Sequence, residues 1–156
     1  MDRRELDFTD LDQLTAELTR LRDTGYTPEG NWSLGQTCDH LAIFFRGSLE
    51  GFSQRVPWLI RVLFGKLILR SILKNRGMRE GVKVPKSFLP GEPGDDAQSV
   101  ETLLGLIDRF RAHSGDYQPS PFFGHLSRER WIELHLIHAA HHLSFLVPGE
   151  VRPTTA

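Results

Sequence analysis

Cysteine is nearly absent: Cys38 is the single one among 156 residues. A lone thiol excludes an intrachain disulfide and any Cys-rich zinc site, so packing must stabilise the fold and a bound metal would rest on imidazole or carboxylate. That suits a reducing cytoplasm. Long apolar runs are missing as well. The N-terminal stretch MDRRELDFTDLDQL lacks the apolar core that a secretory signal requires, so no export is expected and the expected location is cytoplasmic. Arg61, Lys66 and Arg70 interrupt the most apolar segment before it approaches the roughly 20 residues that cross a bilayer. Strand-like alternation of useful length is also lacking, which points to an all-α chain.

What remains is an ordinary globular composition, 39% apolar and 25% charged, with enough length for one core and too little for two. A single domain over 1–148 with a frayed tail over 149–156 is expected. The net charge of −1 is unevenly distributed: Arg55 to Lys86 holds nine basic residues against Glu80 alone, about +8, which leaves about −9 elsewhere. Together with Trp58, Leu59, Phe64 and Leu67, this charge suggests an anionic partner or membrane surface, as for interfacial helices. The alternative is a cover, in which Lys and Arg stems lie over apolar surface and keep their heads wet. Leftover apolar surface on 57–74 would also suit a homodimer. No helix-turn-helix or base-stacking motif accompanies the charge, so no nucleic acid is expected.

Leu11, Leu14, Leu18 and Leu21 recur at helical spacing behind Thr9 and Asp10, and Gly25 supplies a stop. Ser33 with Gln36 forms a capping box for a second helix, whose stripe runs through Leu34, Cys38, Leu41, Phe45, Leu49 and Phe52 and ends before Pro57. His40 lies at the shoulder of that stripe, and Gly47 and Gly51 leave room for close approach. Pro57 to Lys74 is helical in composition, and Asn75 to Asp95 is an irregular connection rich in glycine and proline. A further amphipathic helix starts near Asp96 and ends around Ser114 or Gly115. The last helix starts at Ser127 and runs towards Pro148.

Four of the seven histidines, His135, His138, His141 and His142, fall on that last helix. With Trp131 as origin, Leu134, His135, His138, His142 and Phe145 share an arc of about 100°, with Ala140 and Ser144 opposite. A single core-facing histidine is usually satisfied by a backbone or hydroxyl group. Several on one apolar face each face a desolvation penalty of roughly 1–3 kcal/mol per unsatisfied nitrogen, and a cation between them removes it. His138 and His142, four residues apart, can converge on one ion, whereas His141 lies at the edge. A third ligand must come from elsewhere. His40 is inside a helix towards its buried side, while His113 is at a helix end and His125 in a loop; periodicity favours His40 without deciding it. Cys38 belongs to the apolar stripe, about 160° from His40, and Glu133 faces away from the histidine arc.

The segments WSLGQTCDHLA at 32–42 and HAAHHLSFL at 138–146 resemble the two metal-bearing segments of the DinB-like superfamily, and FFGHLSRERW at 122–131 looks like the lead-in to the last helix in one branch of it. The resemblance covers essentially the whole chain. It implies a four-helix bundle, here with a basic helical or irregular insertion between the second and third bundle helices that is unlike the short connection of minimal members. It also implies a three-histidine site of His40, His138 and His142 for a divalent metal, nickel or zinc first, with manganese or iron as alternatives. The superfamily includes S-transferases and isomerases that use low-molecular-weight thiols such as mycothiol or bacillithiol, and hydrolase-like proteins. The implied function is a metal-dependent thiol S-transferase or hydrolase acting on a small molecule. His135 would then be a hydrogen-bond partner behind the ligands or a proton acceptor, or else a packed histidine bonded to a neighbouring helix. The competing expectation is a non-enzymatic bundle with a structural or vestigial metal, acting through the basic segment 55–86.

Overall fold

A computed structural model describes residues 3–149, and they are mostly helical. Helix α1 spans Leu11–Thr24: the Asp10 carboxylate accepts the Gln13 N–H at its start, and Gly25, at φ 73°, closes it. Its four leucines are buried as their spacing requires. Helix α2 spans Leu34–Glu50 behind the complete Ser33/Gln36 capping box. It stops sooner than its apolar stripe suggests. Gly51 adopts φ 99° as the cap, and Phe52 folds back so that a Cβ on Gly47 would lie 2.2 Å from its ring. Gly47 thus provides the close approach and Gly51 the turn.

The expected 57–74 helix is present in three stretches: α3 (Trp58–Ile60), a π-helical turn (Arg61–Gly65) and α4 (Lys66–Asn75). Gly65 is buried against the Phe122 carbonyl oxygen, which a Cβ would meet at 2.8 Å. The connection to residue 95 is irregular apart from a 3-10 turn, Lys86–Phe88, that buries the Phe88 ring. Helix α5 (Asp96–Ala112) is capped by Asp95, and α6 (Arg128–Leu143) by Ser127.

Helices α1 and α2 each pack against both α5 and α6, and α4 lies on α6. Leu14, Leu18, Phe45, Leu103, Ile107, Phe110 and Trp131 fill the space between them.

Two expectations fail here. A short ribbon exists: β1 (Tyr26–Pro28) pairs antiparallel with β2 (Leu146–Pro148), so α6 ends at Leu143 instead of reaching Pro148. Three-residue strands are too short to show alternation, and they owe their pairing to the docking of the two helix ends. Helix α6 is also not buried on one face alone. Ala140 and Ser144, expected outside, are buried because α1, α2 and α4 all cover this helix. The expected frayed tail lies outside the described residues from position 150 onward.

Candidate metal centre

The capping box that starts α2 and the Ser127 cap that starts α6 fix the phase of two helices whose facing sides carry His40 and the pair His138 and His142. One nitrogen from each of these three rings lies within 4.8 Å of the others. His138 Nε2 is 3.0 Å from His40 Nε2 and 3.1 Å from His142 Nε2. His40 Nδ1 lies 2.6 Å from the Phe88 carbonyl oxygen. A carbonyl can only accept, so Nδ1 carries the proton and Nε2 presents a lone pair to the centre.

This tautomer leaves the cluster incomplete by itself. With at most one proton on it, His138 Nε2 makes one good hydrogen bond, and its second short contact has no partner left. Protonating a ring is opposed by burial. Burial lowers His40 to about 4, and nearby His141 adds to the effect against the opposing Phe88 bond. His142 falls to about 2 through burial first, then His40, His141 and Arg3. His138 lies well below the usual imidazole value from burial and its histidine neighbours. Neutral imidazoles at pH 7 are the metal-ligating form. An ion about 2.0–2.1 Å from each nitrogen holds neighbouring nitrogens about 2.9–3.4 Å apart, from octahedral to tetrahedral angles. Both observed separations fall in that interval. The all-imidazole donor set and these two separations therefore suit a divalent transition metal, with the His40 and His142 nitrogens within 4.8 Å of each other.

The surroundings differ on the two sides. Phe44 stands edge-on to His138 at 4.6 Å, and Phe88 and Phe122 stack on Phe44 at 5.6 and 6.5 Å. On the other side, Trp32 stacks on His142 at 5.2 Å and lies 4.9 Å from His40. His142 and Trp32 are half-buried, as are Phe44 and Phe122. Trp32 also lines a surface groove of about 550 Å³ with Tyr26, Ser33, Gln36 and Pro93, which none of the three histidines lines. A larger cavity of about 700 Å³ is lined by His113, His125 and their loop, and by none of the three ligands.

The structure does not bring His135 to the trio's hydrogen bonds. Its Nε2 lies 3.3 Å from Ser48 Oγ, its ring is stacked between Phe45 and Trp131, and burial lowers it to about 3. His141 sits at the edge, with Nδ1 3.0 Å from an Arg3 guanidinium nitrogen. Cys38 is buried in the α2 stripe, where burial raises its thiol far above the usual range and keeps it protonated. Glu133 pairs with Arg130 on α6. Sequence reasoning assigned no role to Trp32, Phe88 or Phe122. These three reach the site from the connections between helices, whose path no periodicity records.

No curated protein and no solved structure matches the chain. One family model does, over residues 1–149, and its description is a protein of unknown function, DUF1569. The chain belongs to this DUF1569 family.

Proposed function

We propose that this chain is a DinB-like four-helix bundle that holds one divalent metal on His40, His138 and His142 and uses it as a thiol S-transferase or hydrolase on a small molecule. The bundle reading is supported by the closed ring of packing in which α1 and α2 each touch both α5 and α6. The observation that carries the metal reading is the meeting of three Nε2 atoms around His138 while the Phe88 carbonyl holds the His40 proton on the far nitrogen.

A metal held there supplies Lewis acidity, which favours the thiolate form of a small thiol or the deprotonation of water at neutral pH. Nickel and zinc suit three imidazoles best, with manganese or iron as alternatives. The chain's own residues do the rest. Phe88 orients His40, as carbonyl partners do for ligating imidazoles generally. Phe44, Phe88 and Phe122 pack behind His138, and Trp32, which stacks on His142, links the site to the neighbouring groove. That groove of about 550 Å³ has room for a small molecule. The full burial of His135 beneath Phe45 and Trp131 favours a packing role over proton transfer.

The test is metal content and turnover together. Protein reconstituted with nickel or zinc should hold about one ion per chain and catalyse thiol conjugation or ester hydrolysis. His142→Ala, which alters the most exposed ligand, should weaken metal affinity at least about 100-fold and abolish the reaction. A folded protein that takes up no stoichiometric ion removes the reading. A metal-loaded protein inactive in both assays removes the enzymatic half alone.

A further inference from the structure

The basic segment covers the core along one narrow row only, where Leu69 and Ile72 pack against it. Its inner row is Arg61, Gly65, Leu69, Ile72 and Leu73, the positions of α4 and the π-helical turn that are buried or half-buried against the body. Everything else on this helix is exposed. Leu59, Leu63 and Leu67 form one row at four-residue steps, and Ile60, Phe64 and Ile68 form the row beside it. All six are at least half exposed, with Leu67 at 65% and Trp58, at the helix start, at 67%. Soluble monomers seldom display so many large apolar side chains together.

A third exposed row, Lys66, Arg70 and Lys74, runs along one edge of the apolar rows. None of the three makes an ion pair among the described residues. From Arg55 to Arg79 the sequence contains no aspartate or glutamate. The surface is therefore apolar along its crest and cationic along its edge, with no internal counter-charge.

A second copy of the chain fits this surface poorly. Antiparallel two-fold pairing of the helix would set the two cationic edges side by side, and parallel pairing would leave each edge without an anion. No helix among the described residues is long and apolar enough to cross a membrane, so the helix must lie on whatever it binds. We infer that residues 58–74 dock on an anionic lipid bilayer, with Leu59, Ile60, Leu63, Phe64, Leu67 and Ile68 seated among the acyl chains and Lys66, Arg70 and Lys74 at the headgroups. Trp58 at the end of the helix suits the interface between the two layers. This inference stands apart from the metal reading, since it uses none of the ligands.

Flotation of the full chain with vesicles tests it. Binding should appear with phosphatidylglycerol, weaken as salt is raised, and be much weaker with phosphatidylcholine alone. Neutralising the edge, with Lys66→Gln, Arg70→Gln and Lys74→Gln, should lower partition to anionic vesicles roughly 100-fold, at about 1 kcal/mol per charge near the surface. Leu63→Asp with Leu67→Asp should lower it at least about tenfold while leaving the melting temperature unchanged, because both side chains are already in water. No binding to anionic vesicles at low salt, equal binding to neutral ones, or a stable solution dimer that Leu67→Asp dissociates overturns the inference.

Discussion

His135 shows how one buried side chain ties stability to pH. The groups packed on it, Phe45, Ser48, Phe110 and Trp131, carry no charge that could stabilise an imidazolium. Its folded value of about 3 lies below the usual 6.5. Between these limits the unfolded chain binds a proton that the folded chain does not, so stability is full above pH 6.5 and falls as pH drops towards 3. The slope from one such group reaches about 1.4 kcal/mol per pH unit. His135→Leu should flatten the loss of metal-free stability between pH 6.5 and 5 by about one proton's worth, measured by urea unfolding, and an unchanged slope would refute this. Ser48 keeps a partner in that variant, since its hydroxyl already donates to the Phe45 carbonyl. At this scale, the four-residue spacing of His138 and His142 was legible because both lie on one helix. The Phe88 carbonyl was not. It reaches His40 across 48 positions through a backbone atom, and side-chain patterns carry no trace of such a contact.

The ends of the elements decide where the site residues point. Asp96, in the first turn of α5, accepts the Gly35 N–H and the Tyr26 hydroxyl, each at 2.7 Å, and Tyr26 in turn accepts the Leu34 N–H. One carboxylate thus serves the free N–H groups at the start of α2, where the helix dipole favours negative charge. Asp96→Ala should cost about 1–3 kcal/mol, read as a lowered urea midpoint with an unchanged slope. A loss within experimental error would show that water replaces the carboxylate. Helix starts were legible in the sequence because Asp10, Ser33 and Ser127 are local signals acting over three residues. The π-helical turn at Arg61–Gly65 and the β1–β2 ribbon were not, because each involves a distant partner: Phe122 on Gly65, and Pro148 opposite Tyr26.

Across the whole molecule, charge and apolar surface are divided. The acidic excess lies in the rest of the chain, while the basic excess lies in the α3–α4 arm and the connection that follows it. Gly65 of that arm rests on Phe122, which stacks on Phe44 and so on the wall behind His138. The exposed arm and the histidine cluster are therefore neighbours through one aromatic layer. The uneven charge and the leftover apolar surface on 57–74 were legible in the sequence, but which row faces the body was not, since apolar residues run nearly all round this helix.

The central claim is that three imidazoles share one ion. X-ray absorption on the nickel- or zinc-reconstituted protein tests it most directly. The account predicts one ion per chain with three imidazole nitrogens at about 2.0–2.1 Å and water oxygen completing the shell, reduced to two imidazoles in His142→Ala. A spectrum with fewer than three imidazoles in the unaltered protein, or one unchanged in that variant, would contradict it.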